Sequence, residues 1–199
     1  MRNIPSSTYR LQFTPEFTFE RGERIVKYLS RLGISHIYAS PVFAARPGST
    51  HGYDITDPNS INLELGGMDG FVSITRQAHN AGLGWIQDFV PNHMAFDKHN
   101  GLLWDILEKG EHSRFYSFFD INWEHMYDTL NGRLLTPVLG SFYARALEEG
   151  LIQLVYNANG LGIQYYEHHY PLRLGSYKMV FLKNISFCEE ALGPTHPDL

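Results

Sequence analysis

The sequence is poor in the features that mark several protein classes. It has one cysteine, Cys188, in 199 residues, so no intrachain disulfide can form and a reducing compartment is favoured. No apolar run approaches the ~20 residues that span a bilayer. The N-terminus, Met1-Arg2-Asn3-Ile4-Pro5, leads into polar residues rather than an apolar signal core. These features point to a cytoplasmic protein without a membrane partner. Net charge is −5, and no block of one sign stands out, so a nucleic-acid partner is not favoured either. Glycine-rich phosphate loops and Ser-His-Asp strings are missing. What remains is ordinary for a globular chain: 43% hydrophobic and 19% charged residues, with a somewhat rich aromatic content of 14%.

The first half alternates between two periods. Thr8 to Phe13 alternates and is β-prone. Phe19 to Leu32 places Ile25, Tyr28, Leu29 and Leu32 on one helical face, and Gly33 ends the helix. Ile34 to Ser40 reads as a second strand closed by Pro41. A long loop is expected from Val42 to Gly67. Phe71, Ile74, Ala78 and Ala81 mark a second helix, ended by Gly82, and Gly84 to Val90 reads as a third, buried strand. This β-α-β-α-β order implies a parallel sheet with right-handed crossovers.

The second half breaks that rhythm. Leu102, Leu103, Ile106 and Leu107 suggest a short helix, and Ser141 to Glu149 another, with Tyr143, Ala146 and Leu147 on one side. Leu151–Tyr156 and Ile163–Tyr166 read as strands joined by the turn Asn157-Ala158-Asn159-Gly160, and Met179 to Leu182 as a further strand. Phe115, Tyr116, Phe118, Phe119 and Trp123 are expected to form this part's own core. Glu167-His168-His169 invites a metal reading. Adjacent histidines on a strand point to opposite faces, however, which leaves surface or packing roles. Glu148-Glu149 and Glu189-Glu190 read as solvated charge.

The string Gln87-Asp88-Phe89-Val90-Pro91-Asn92-His93 carries the chemistry. An apolar strand delivers an Asp at its C-terminal end, then a proline-broken turn delivers an Asn-His pair. In parallel α/β barrels that end of the strand holds the active site. An imidazole can bond to a sugar hydroxyl, and a carboxylate a few residues earlier can hold a neighbouring cation or hydroxyl. Taken alone, the spacing also fits an Asp and a His that are merely hydrogen-bonded in a core.

Asp88 to Ala95 resembles the first conserved region of the α-amylase superfamily. More narrowly, the chain resembles the maltooligosyltrehalose synthase family. The matching blocks are Ser7 to Phe13, Tyr38-Ala39-Ser40-Pro41, Gly48 to Asp54, Asp88 to Ala95, Phe118 to Trp123, Leu135 to Gly140, Tyr165-Tyr166-Glu167 and Tyr170-Pro171-Leu172. The resemblance implies an α/β fold: the N-terminal part of a TIM (β/α)8 barrel, about three β-α units over residues 1–94, followed by a small α+β insertion over 95–199. It implies that the Tyr53 ring stacks on the sugar just before the cleaved bond, that Asp54 hydrogen-bonds there, and that His93 contacts the same sugar. Asp88 would support the floor of the site rather than act as nucleophile. Asn92 matches a position that holds calcium in many amylases, but the narrower family is not noted for calcium, and neither a metal nor a cofactor is carried over. Arg10, Gln12 and His51 are candidate pocket-lining residues.

The implied substrate is a maltooligosaccharide. The implied reaction converts its reducing-end α-1,4 linkage to an α,α-1,1 linkage by intramolecular transglucosylation, an isomerisation on the route to trehalose. Retaining chemistry of this kind uses two carboxylates about 5 Å apart. The superfamily's nucleophile lies on a later strand, and no Gly-x-Arg-x-Asp string occurs here. A complete barrel needs about 250 residues, so the chain is expected to be the first segment of such an enzyme, without catalytic carboxylates and inactive alone. A hydrolase or other transglycosylase of the superfamily, and a stand-alone carbohydrate-binding module, remain alternatives.

Overall fold

A computed structural model describes residues 4–158 and 160–192, with side chains described as far as Lys183. The N-terminal Met1–Asn3, the turn residue Asn159, and the side chains of Cys188, Glu189 and Glu190 lie outside the described residues. The chain divides between Asn100 and Gly101 into two compact units.

The first unit runs β1 (Thr8–Leu11), α1 (Phe19–Arg31), β2 (His36–Ala39), β3 (Phe43–Ala45), β4 (Ile55–Ile61), α2 (Gly67–Asn80) and β5 (Gly84–Gln87). β1, β2 and β5 form one parallel sheet in that order. Its register pairs Arg10 with Tyr38 and Tyr38 with Ile86. The helices cover the sheet through Phe19, Val26, Leu29, Ile74 and Ala78, which meet Leu11, Phe13, Ile37 and Ala39. Each large side chain buried in this way contributes roughly 1.5–3 kcal/mol.

The face of α1 differs from the expected one. Its buried residues are Phe19, Gly22, Val26 and Leu29, whereas Tyr28 is 61% and Leu32 52% exposed. Gly22 marks the true contact line, because a Cβ there would lie 2.7 Å from Ile74 Cδ1 and 3.0 Å from Phe13 Cε1. A residue without a side chain carries no hydropathy signal, so the stripe is displaced when read from apolar residues alone.

The expected loop from Val42 to Gly67 contains the antiparallel pair β3–β4 and a short 3-10 turn, Leu63–Leu65. The β4 segment is rich in turn formers, and its pairing carries two register shifts. Asp57 explains part of this irregularity. Its side chain accepts from Asn59 N at 2.9 Å and Ser60 Oγ at 2.5 Å, drawing the backbone out of the ladder. β5 is shorter than expected and half-buried throughout, because it is an outer strand of the three-stranded sheet.

The second unit runs α3 (Gly101–Lys109), α4 (Tyr143–Glu148), β6 (Ile152–Asn157), β7 (Gly160–Tyr165), β8 (His168–Pro171) and α5 (Leu174–Leu192). The three strands form an antiparallel meander, β6-β7-β8. Tyr166 opens the two-residue β7–β8 turn with φ 52°, the sign such tight hairpin turns require. On α4, Ala146 is buried while Tyr143 and Leu147 are exposed. Met179–Leu182 belongs to α5, not to a strand; a short apolar run fits either period. Phe115, Tyr116, Phe118, Phe119 and Trp123 form no buried core, and Phe118 is 65% exposed. They lie in irregular chain, and the buried apolar residues here are instead Leu103, Ile106, Ala146, Leu161 and Tyr165. His168 and His169 sit on β8 with different partners. His168 Nε2 lies 3.5 Å from Glu167, and His169 Nε2 lies 3.2 Å from Asn157 Nδ2.

Candidate functional site

The C-terminal ends of the parallel strands gather the polar residues of the first unit. β1 presents Arg10, β2 presents Tyr38, and Asp88 follows the last residue of β5. Because Arg10 and Tyr38 are register partners, their side chains rise side by side, and the guanidinium lies over the Tyr38 ring, 4.7 Å from its centroid. Arg10 Nη1 donates to Asp88 Oδ2 at 3.0 Å. The Tyr53 hydroxyl donates to the same oxygen at 2.7 Å and accepts from Arg10 Nη2 at 3.2 Å. Arg10 Nη2 also reaches Gln12 Oε1 at 3.3 Å, and Gln12 Nε2 donates to Thr50 O at 3.2 Å. One guanidinium thus ties two strand ends to the loop that carries Tyr53.

That loop is built for its turn. Gly52 has φ 74°, and a Cβ there would come within 2.7 Å of Pro41 O, so the position admits glycine alone without rearrangement. Ser49 Oγ accepts from Gly52 N at 3.1 Å and donates to Asp54 Oδ1 at 2.5 Å. His51 stacks on Tyr53 at 6.0 Å between centroids and 17° between planes. Its Nδ1 accepts from Tyr53 N at 3.1 Å. The same nitrogen lies 3.8 Å from Asp54 Oδ1.

The electrostatics follow from this geometry. The Asp88 side chain is 11% exposed and that of Arg10 36%. Burial pushes the Asp88 carboxyl up, but the hydrogen bonds from Tyr53, Arg10 and Tyr38 outweigh it and hold the group below its ordinary value. The bond to Asp88 raises the Tyr53 phenol, with burial adding to it, and the Arg10 guanidinium is raised mainly by the same carboxylate. A carboxylate engaged in this way is an anchor; it holds no proton to donate near neutrality.

Arg10, Gln12, Tyr53 and Asp88 therefore come together, with His51 and Asp54 on the same loop. Asn92 and His93 do not join that hydrogen-bond network. They are exposed, and His93 Nδ1 pairs with Asn92 Oδ1 at 2.7 Å. Between them and Asp88 the chain is turned by Pro91 and anchored by Phe89 packing edge-on against Phe43, 5.5 Å away. Tyr38 and Ser49 lie in the matching blocks Tyr38–Pro41 and Gly48–Asp54, but the resemblance assigns neither a site role. Tyr38 could have been found by placing it opposite Arg10 in the parallel register; Ser49 has no comparable signal. Among the described residues, no group of three or more His, Cys, Asp or Glu side chains is placed to hold a metal. No described helix is long and apolar enough to cross a membrane.

Comparison with known proteins completes the picture. Residues 23–125, more than half the chain, match the family described as alpha amylase, catalytic domain. The chain belongs to the α-amylase family. Within that family it is similar to a protein of Mycobacterium tuberculosis (strain H37Rv) named maltooligosyl trehalose synthase. The two are 44% identical over 142 residues, 68% of this chain and 18% of the relative. A crystal structure of maltooligosyl trehalose synthase superimposes with TM-score 0.78 at 38% identity, covering 84% of this chain and 22% of that one. The maltooligosyltrehalose synthase of Arthrobacter ramosus gives TM-score 0.76 at 37% identity, covering 86% and 22%. The chain thus spans about a fifth of the length of these α-amylase-family relatives.

Proposed function

We propose that this chain supplies one side of the α-glucan site of a maltooligosyltrehalose synthase. That enzyme would isomerise the reducing-end α-1,4 linkage of a maltooligosaccharide to α,α-1,1 in the cytoplasm. In this reading residues 1–94 are the first three strand–helix units of a closed (β/α)8 barrel and residues 95–199 are an insertion. The observation that carries it is the Tyr53 hydroxyl locked between Asp88 and Arg10. A tyrosine fixed at its polar tip presents a rigid ring at low entropic cost, as a sugar-stacking surface requires. His51 packs against one face of that ring, and the pyranose takes the other.

Asp54, oriented by Ser49, accepts from a sugar hydroxyl, and Gln12 lines the same rim. His93, its Nδ1 turned to Asn92, offers Nε2 to the same ring. Asp88 positions Tyr53 and takes no part in bond cleavage. The nucleophile and the general acid, about 5 Å apart in retaining enzymes, would come from outside these 199 residues, and neither metal nor cofactor enters the scheme.

The test is product analysis on maltopentaose. The chain alone should convert none of it. A chimera joining this chain to the remaining segments of the Arthrobacter ramosus relative should consume reducing ends without releasing glucose, and Tyr53→Ala in the chimera should abolish that. Free glucose or maltose as the main product would instead favour a hydrolase. Turnover by the chain alone that disappears on His93→Ala would overturn the assignment of the catalytic groups.

A further inference from the structure

The second unit contains a cleft of about 850 Å³ that the site above does not use. Tyr116 and Trp123 line it and are stacked 4.7 Å apart at 15°. Its rim carries Glu111, Glu124, Asn131 and Arg173. The segment bearing Trp123 is a closed loop rather than slack chain. Gly132 N donates to Trp123 O at 2.9 Å, and His125 N donates to Asn131 Oδ1 at 2.6 Å. Arg173 lies against Gly110, where a Cβ would meet its Nη2 at 3.1 Å, and its Nη1 reaches Gly132 O at 3.5 Å.

The Trp123 indole Nε1 has no accessible surface, so it is the ring stacked with Tyr116, rather than the N–H, that a ligand in the cleft can meet. The rest of the lining narrows the ligand class. Two carboxylates against one guanidinium disfavour an anion such as phosphate. A flat aromatic pair combined with carboxylate acceptors and amide and guanidinium donors suits a neutral molecule that both gives and takes hydrogen bonds and has an apolar ring face. The volume lies in the range of sites for small ligands.

We propose that this cleft is a second carbohydrate-contact site, which takes a short neutral α-glucan segment on the Tyr116–Trp123 surface. The choice of an α-glucan rests on the substrate class proposed above; the hydroxyl-rich ring chemistry rests on the cleft itself.

The experiment is a titration of the ¹⁵N-labelled chain with maltotriose, up to concentrations on the order of 10 mM as weak sugar sites require. The indole N–H signals of its three tryptophans are followed after sequential assignment. The Trp123 signal should move saturably. The Trp85 signal, whose N–H already donates to Gln87 Oε1 at 3.2 Å, should stay. Trp123→Ala, read at the Asn131 and Gly132 amides, should weaken binding about tenfold or more. Asp88→Asn in the first unit should leave the Trp123 response unchanged. An unmoved Trp123 signal overturns the proposal, as does movement with inorganic phosphate but not maltotriose, or loss of the response in Asp88→Asn. The product assay reads the Tyr53–Asp88 network and this titration reads Trp123, so either can fail while the other stands.

Discussion

The Tyr53 hydroxyl donates to Asp88 Oδ2 at 2.7 Å, and Arg10 Nη1 donates to that same oxygen at 3.0 Å. Tyr53→Phe removes one of these bonds while keeping the ring. A hydrogen bond to a charged acceptor is worth about 1.5–3 kcal/mol, and the site is only partly buried, so a loss of about 1–2 kcal/mol in a urea melt is expected. The Asp88 carboxyl should also titrate at higher pH than in the unsubstituted chain, read from its carbon-13 shift. An unchanged Asp88 titration would show that the tyrosine is not what holds that carboxylate.

Acid should reveal the same network. The folded-state pKa of Asp88 lies below its ordinary value. Its contribution to stability is therefore complete above the unfolded value of about 3.9 and is lost as pH falls through the lower folded value. Asp57, Asp97 and Asp105 are depressed as well and add to the same acid limb. Asp88→Asn should flatten that limb without abolishing it. Thermal melts between about pH 2 and pH 6 check this, and a limb as steep as before would assign the effect to the other three carboxylates.

Gly52→Ala should be more damaging than its size suggests. The residue combines φ 74° with a backbone oxygen 2.7 Å from the would-be Cβ, so both strain and collision oppose the methyl. A loss of about 1–3 kcal/mol is expected. Gly33→Ala serves as control. It has φ 84° but open space around the Cβ position, so strain acts alone and the loss should be smaller, about 1 kcal/mol. Equal losses at the two positions would mean that the Pro41 contact relaxes without cost.

β1 and β5 are the outer strands of the parallel sheet, and outer strands template pairing with other chains. The isolated chain should therefore self-associate as its concentration rises. Sedimentation velocity at several concentrations measures this; a monodisperse monomer with a sharp, cooperative melt at all of them would contradict it.

The alternation of β1, α1, β2, α2 and β5 could be read directly from the chain. Each element carries its own period, and Gly33 and Gly82 stop the two helices. The place of Asp88 at a strand end was legible for the same reason: Gly84-Trp85-Ile86 and Pro91 bracket it locally.

Other features depended on partners distant in sequence. Gly22 gives α1 its contact line only because Phe13 and Ile74 close on it. The β3–β4 pair forms although Asp57 and Pro58 read as turn residues, since Ile55 and Thr56 are buried there. The aromatics from Phe115 to Trp123 looked like a core and are not one, because hydrophobicity does not specify a partner. The candidate site divides in the same way. Its residue types were visible one at a time, but the parallel register that sets Arg10 beside Tyr38, and the loop closure that brings Tyr53 to Asp88, are long-range relationships. Sequence periodicity fixes which face of an element turns inward; only packing fixes what that face meets.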